Sequence, residues 1–164
     1  MNLRPLVAED WQVVRAIYRE GIASGDATFE TEAPEWDEWH ASRLAVARIV
    51  AEDAGEIVGF AALSPTSKRG VYAGVAEVMV YVASSARGRG IGGQLMARLV
   101  EESEAGGIWT LQASIFPENE ASISAHLRVG FREVGRRERI ARFHDGRWRD
   151  TVVLERRSAS VGSE

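Results

Sequence analysis

The residues with the most readable chemistry lie in the run Val80-Tyr81-Val82-Ala83-Ser84-Ser85-Ala86-Arg87-Gly88-Arg89-Gly90-Ile91-Gly92-Gly93. It leaves an apolar strand pattern and opens a helical one. A helix N-terminus has unpaired N–H groups and partial positive charge, and both suit phosphate oxygens. Glycines let the backbone approach such an anion and accept positive φ. Arg87 and Arg89 add charge-assisted hydrogen bonds. The run therefore predicts a diphosphate-binding loop. A surface turn with incidental arginines is the plain alternative, and it leaves the agreement between loop and flanking elements unexplained.

Two related motifs fail on context. Gly88-Arg89-Gly90-Ile91-Gly92-Gly93 spells G-x-G-x-x-G, but a dinucleotide site places its first glycine at the strand end and an acidic residue about 20 positions later. Here five residues separate Val82 from Gly88, and position 108 is isoleucine. The triphosphate loop needs lysine and then Ser or Thr after its last glycine. Gly93 is followed by Gln94.

Glu77 is the carboxylate in the apolar run Ala76-Glu77-Val78-Met79-Val80. An apolar setting raises a carboxyl pKa, which suits a general base. An outward-facing strand charge is the alternative. His126 stands four residues before Gly130 and is either an acid, an orienting group or a helix histidine bonded locally. His40 and His144 read as surface residues. Arg69, with Tyr72 near it, suits a carboxylate or other acidic head, because a guanidinium fork matches that geometry. A solvated loop charge beside Lys68 is equally compatible. The chain has no cysteine, which excludes disulfides and thiolate catalysis, and its three histidines have no metal-ligand spacing.

The elements that must position these groups follow from periodicity. A strand at 3–6 precedes helices at 8–24 and 35–48. Strands at 49–52 and 57–63 flank the turn Asp53-Ala54-Gly55, and 64–70 is a loop. A strand at 71–82, a helix at 90–105, a strand at 109–116 and a helix at 120–129 follow. A hairpin of 134–142 and 148–155 turns at Asp145-Gly146. This β-α-α-β-β-β-α-β-α-β-β order predicts one α+β domain over residues 1–157 and a flexible tail at 158–164.

With 164 residues, 45% hydrophobic and 27% charged, the chain suits one globular domain. A net charge of −4 argues against a nucleic-acid partner. The N-terminus lacks a signal-peptide pattern and no stretch is apolar enough to span a membrane, so a cytoplasmic location without a membrane partner is the expectation.

The loop, read with Asn119-Glu120-Ala121-Ser122 and Gly130-Phe131, resembles the GNAT acyltransferase superfamily. Its pyrophosphate loop, R/Q-x-x-G-x-G/A, is met by Arg87, Gly90 and Gly92. Within it, Phe29 with Thr31, Arg69, Tyr72, Glu77, Val80-Tyr81-Val82, His126 and Gly146-Arg147-Trp148-Arg149-Asp150 resemble the phosphinothricin and methionine sulfoximine/sulfone acetyltransferases. The likeness covers roughly residues 2–156.

The resemblance implies a GNAT fold: a mixed, mostly antiparallel sheet, splayed and flanked by helices. It implies an acetyl-CoA-dependent N-acetyltransferase with a small amine acceptor, no metal, and a homodimer. It implies that acetyl-CoA lies in the splay. Val80, Tyr81 and Val82 would meet its pantetheine arm, Arg87, Gly88, Arg89, Gly90, Ile91, Gly92 and Gly93 its pyrophosphate, and Asn119 its arm. Glu77 would be the base, and His126 stands where many relatives carry a tyrosine acid. Phe29, Arg69, Val71, Tyr72 and Met79 would line the acceptor site. Met79 replaces the Ser or Thr usual in relatives and favours a more apolar head than phosphinothricin. A protein or peptide N-acetyltransferase and a non-catalytic acyl-CoA-binding module are the competing readings.

Overall fold

The computed structural model describes residues 1–164. In chain order its elements are β1 (Asn2–Pro5), α1 (Trp11–Ala23), α2 (Trp36–Ser42), β2 (Ile49–Asp53), β3 (Glu56–Pro65), β4 (Val75–Val82), α3 (Ile91–Ala105), β5 (Thr110–Ile115), α4 (Glu120–Arg128), β6 (Arg132–Arg142) and β7 (Trp148–Arg157). Short 3₁₀ turns precede α1, β4 and α3. The strands form one seven-stranded sheet in the order β1-β2-β3-β4-β5-β7-β6. Every pairing is antiparallel except β4 with β5. The α+β class, the element order and the mixed, mostly antiparallel sheet are those read from the sequence.

Helices cover both faces because each side of the sheet alternates apolar positions. Trp11, Val14, Ile17 and Tyr18 recur at helical spacing along α1 and are buried. Gly21 lets α1 approach β4, since a Cβ there would lie 2.3 Å from the Tyr81 ring. Trp39 of α2 is fully buried against Trp11, with ring centroids 4.9 Å apart. On the other face α3 buries Ile91, Leu95, Met96 and Leu99. Leu95 and Ile91 close over Gly59 of β3.

Two elements differ from the periodic reading. The second helix ends at Ser42, and Arg43 is extended at φ −112°, ψ 150°. The Arg48 guanidinium donates to the carbonyls of His40, Arg43 and Leu44 at 3.0, 2.9 and 2.6 Å. That fork satisfies the carbonyls that further helix would have used. The backbone N–H of Leu44 donates to Leu63 O of β3 at 2.8 Å and docks this segment on the sheet. The central strand starts at Val75, not at 71. Gly74 O accepts from Trp109 and Thr110 N–H, and the Trp109 indole fills the space beside Gly74. Residues 70–72 turn away as a 3₁₀ segment.

The segment after Arg157, expected to be flexible, folds back on the domain. Ser158 is buried and its hydroxyl donates to Glu104 at 2.8 Å. Arg157 donates to the carbonyls of Ser158, Val161 and Gly162.

Candidate active site

The parallel pair β4–β5 sets the site. Its register runs only through Val75–Thr110, Ala76–Leu111 and Glu77–Gln112. Beyond Glu77, β4 continues to Val82 paired with β3 alone, and β5 continues to Ile115 paired with β7 alone. The two strands diverge into a V whose inner edge on β4 has no strand partner. A strand edge of this kind presents backbone N–H and C=O groups that require acceptors and donors.

Glu77 sits on the last rung, between Ser64 of β3 and Gln112 of β5. Alternation puts Met79 and Tyr81 on its side of β4 and Val78, Val80 and Val82 on the other. Tyr81 contacts the α1 face, stacked on Phe60 at 5.5 Å and edge-on to Tyr18 at 5.0 Å. Val82 contacts the α3 face beside Gly92. The Glu77 side chain reaches the surface of the cleft, yet the protein around it strips enough solvent to raise its carboxyl above the usual glutamate range. The charges of Arg137 and Arg43 pull in the opposite direction. Met79 lies half-buried opposite Ala62. Loss of solvation drives the Tyr81 phenol well above its usual range, so the hydroxyl is neutral.

At the C-terminal end of β4 the chain enters the glycine loop. Ala83 N–H still donates to Val58 O at 2.8 Å, and Ser84 N–H donates to the Glu20 carboxylate at 2.7 Å. From Arg87 to Gly93 no backbone N–H has an acceptor within the protein, and the first helical bond of α3 is Gln94 N–H to Gly90 O. Gly88 and Gly90 adopt φ of +75° and +77°, a region that L side chains avoid. No atom lies within 4 Å of a Cβ built at Gly88, Gly90 or Gly93, so the loop surface is open. These features fit a diphosphate. Arg87 is exposed. Arg89 forms an ion pair with Asp53 at the β2–β3 turn and holds that carboxyl below its ordinary value. Arg89 is thus tethered to the hairpin rather than projecting freely from the loop.

The mouth of the V is crossed by the segment after α1. Thr28 lies against the Tyr81 hydroxyl. Phe29 packs edge-on to Phe116 at the end of β5, centroids 4.9 Å apart. Arg149, buried, lies with its guanidinium 3.6 Å from the Phe116 ring centroid and donates to Gly25 O. Asn119 caps α4 by accepting from Ser122 N–H at 3.2 Å, and its amide donates to Asp26 O at 3.2 Å. Both polar ends of Asn119, expected against the cofactor arm, are engaged within the protein.

His126 is buried in α4. Its Nδ1 lies 2.7 Å from Ser122 O one turn back, and its ring is edge-on to Phe131 at 5.0 Å. That carbonyl only accepts, so Nδ1 carries the proton. Burial lowers its pKa, and the Ser122 bond opposes this. Arg69, Val71 and Tyr72 are exposed on the turn before β4, with Arg69 5.5 Å above the Tyr72 ring. The arginines whose charge acts on Glu77 are instead Arg43 and Arg137. Arg137 pairs with Thr151 across the β6–β7 hairpin, and the sequence gives it the look of a solvated charge run. Arg43 has no local motif at all; the docking of Leu44 on β3 brings it in.

The model of the acetyltransferase (GNAT) family matches residues 11–131. The chain is 37% identical over 164 residues to phosphinothricin N-acetyltransferase of Streptomyces coelicolor, with 95% of each covered. It is 28% identical over 161 residues to the L-methionine sulfoximine/L-methionine sulfone acetyltransferase of Pseudomonas aeruginosa, covering 94% of this chain and 92% of that one. Its fold is similar to the crystal structure of a GNAT superfamily phosphinothricin acetyltransferase from Sinorhizobium meliloti in complex with AcCoA. The TM-score is 0.88 at 30% identity, over 99% of this chain and 91% of that one. A split parallel pair, an open glycine loop at a helix start and these likenesses agree: the chain belongs to the GNAT acetyltransferase family and is an acetyl-CoA-dependent N-acetyltransferase.

Proposed function

We propose that the acceptor is the amino group of a small amino-acid-like molecule of the phosphinothricin, methionine sulfoximine or methionine sulfone type. The observation that carries this reading is Glu77 on the last rung of the β4–β5 pair, poised where the two strands part. The names of the similar relatives supply the acceptor class.

Acetyl-CoA supplies the acetyl group as an activated thioester. The N–H groups of Arg87 to Gly93 and the free edge of β4 at Val80 to Val82 would hold it. Glu77 takes the proton that the acceptor ammonium must lose before its nitrogen can attack. A carboxyl with a raised pKa is a stronger base than an ordinary surface glutamate, which suits that task. A preorganised backbone N–H at Val82 or its neighbour is the donor that polarises the thioester carbonyl in this reading; the amine nitrogen bonds to that carbon, the C–S bond breaks, and coenzyme A leaves as a thiolate that takes its proton from solvent. His126 holds one proton on Nδ1 toward Ser122, and burial disfavours a second on Nε2, so in this reading it orients the acceptor rather than delivering a proton. Phe29 and Met79 form apolar walls.

In the same proposal the protein acts as a homodimer in the cytoplasm. The β6–β7 hairpin exposes Val134, Ile140 and Trp148, apolar surface that a second subunit would cover. No helix is long and apolar enough to cross a membrane. The test is thiol release from acetyl-CoA with methionine sulfone, methionine sulfoximine, phosphinothricin and a peptide N-terminus as acceptors, with sedimentation for the assembly. Turnover with the amino-acid analogues and none with the peptide is the expected outcome. Turnover with the peptide alone would overturn the acceptor assignment.

A further inference from the structure

The arginines that are not exposed have acceptors, with one exception. Arg4, Arg15, Arg149 and Arg156 make ion pairs. Arg48 caps three carbonyls. Arg43 is half-buried and has neither a carboxylate nor a carbonyl. Its Nε is buried with no hydrogen-bond partner, and Nη1 donates only to the hydroxyl of neighbouring Ser42 at 2.9 Å. Its guanidinium lies 5.6 Å from the Trp39 ring centroid. The enclosed Nε is out of reach of a ligand, but Nη2 has no acceptor in the protein and is not enclosed, so it is the donor open to an anion.

The position of Arg43 gives that anion an identity. Leu44, the next residue, is bonded to Leu63 O, and Ser64, the residue after Leu63, is the β3 partner of Glu77. This docking brings the backbone beside Arg43 onto β3, the strand that flanks the base. The charge of Arg43 reaches Glu77, Tyr18 and Tyr81. Glu30 acts on the same two tyrosines but makes no ion pair with it. In an α-amino acid the carboxylate is one carbon from the amine. A cation whose charge reaches the base that accepts the ammonium proton is placed to hold that carboxylate.

We propose that Arg43 binds the α-carboxylate of the acceptor, so that Arg43 and Glu77 together select α-amino acids over simple amines. This rests on the small-acceptor reading above. It assigns the carboxylate to a residue from the end of α2, and not to the exposed Arg69 on the turn before β4.

The experiment compares methionine sulfone with its decarboxylated analogue, 3-(methylsulfonyl)propylamine, in the wild type, Arg43→Gln, Arg43→Lys and Arg69→Gln. The wild type is expected to prefer the amino acid. Arg43→Gln should raise the KM for methionine sulfone about 10- to 100-fold, the fold-change of a lost hydrogen bond to a charged group, and abolish the preference. Arg43→Lys should restore part of it. Acetyl-CoA affinity, read by calorimetry, should be unchanged in all, which also reports that the variants fold. If Arg43→Gln keeps the preference, or Arg69→Gln alone abolishes it, the Arg43 assignment is overturned while the acceptor class stands. If the wild type acetylates neither compound nor any other amino-acid analogue, the acceptor class falls and the Arg43 assignment with it.

Discussion

Replacing Glu77 by glutamine separates two consequences of one carboxyl. As a base it should matter to turnover: kcat of Glu77→Gln is expected to fall about 100- to 10,000-fold, with acetyl-CoA affinity unchanged. As a desolvated group it should matter to stability in the opposite sense. Its folded pKa lies above its unfolded one, so the native state binds the proton more tightly. Stability is thus lost as pH rises from the unfolded value through the folded one, and the loss persists above that window. Glu77→Gln should melt higher than the wild type at neutral pH and at the same temperature below the ordinary glutamate range. A lower melting temperature for the variant at neutral pH would refute the desolvation. Met79 carries a second prediction at this scale. Met79→Thr should shift kcat/KM toward phosphinothricin and away from methionine sulfone, read by competing the two acceptors. Glu77 and the glycine loop stand out in the sequence because their chemistry is local: a carboxylate in an apolar strand, glycines at a helix start; Met79 stands out only against the resemblance, as a departure from the usual Ser or Thr. Arg43 and Arg137 do not stand out, because only the pairing of distant strands and the docking of Leu44 bring their charge to Glu77.

Among the elements, α3 depends on the residue that precedes it. Gly90 is its N-cap at φ +77°. Gly90→Ala places an L side chain in the left-handed region at a cost of about 1–2 kcal/mol, and it should weaken acetyl-CoA binding, measured by thermal melting and calorimetry on the same samples. Asn119 joins α4 to the segment after α1, and its two bonds can be tested separately. Asn119→Asp keeps the cap and loses the donor to Asp26, so its melting temperature should hold while limited proteolysis after Ser24 accelerates. Asn119→Ala loses both and should cost about 1 kcal/mol in addition. The order of elements was readable because Gly, Pro and apolar period mark it locally. The two boundaries that moved depend on contacts that the apolar period does not show. Arg48 reaches back to three carbonyls and stops α2, and the Trp109 indole against Gly74 delays β4.

For the whole molecule, the coenzyme should act as a missing strand. A ligand held at a hundredfold over its Kd stabilises the native state by about 2.7 kcal/mol. Much of that gain should appear as slowed hydrogen exchange at the amides of residues 78–82 and 87–93, which have few or no acceptors on the cleft side. Uniform slowing over the sheet, with no excess at these amides, would refute the assignment of the cleft as the binding edge. The splay itself came into the reading through the resemblance, since nothing in the apolar run from Val75 to Val82 says where one neighbour stops pairing.

That abbreviated β4–β5 ladder has a mechanical consequence. The β1-to-β4 wing and the β5-β7-β6 wing share only the rungs from Val75 to Glu77 within the sheet, and Glu77 is the outermost of them. Small changes in the angle between the wings therefore pivot at Glu77, the proposed base, where they displace it least, and grow toward Val82 and Ile115 at the mouth of the cleft. The cleft can breathe to admit its cosubstrate while the carboxylate stays nearly still.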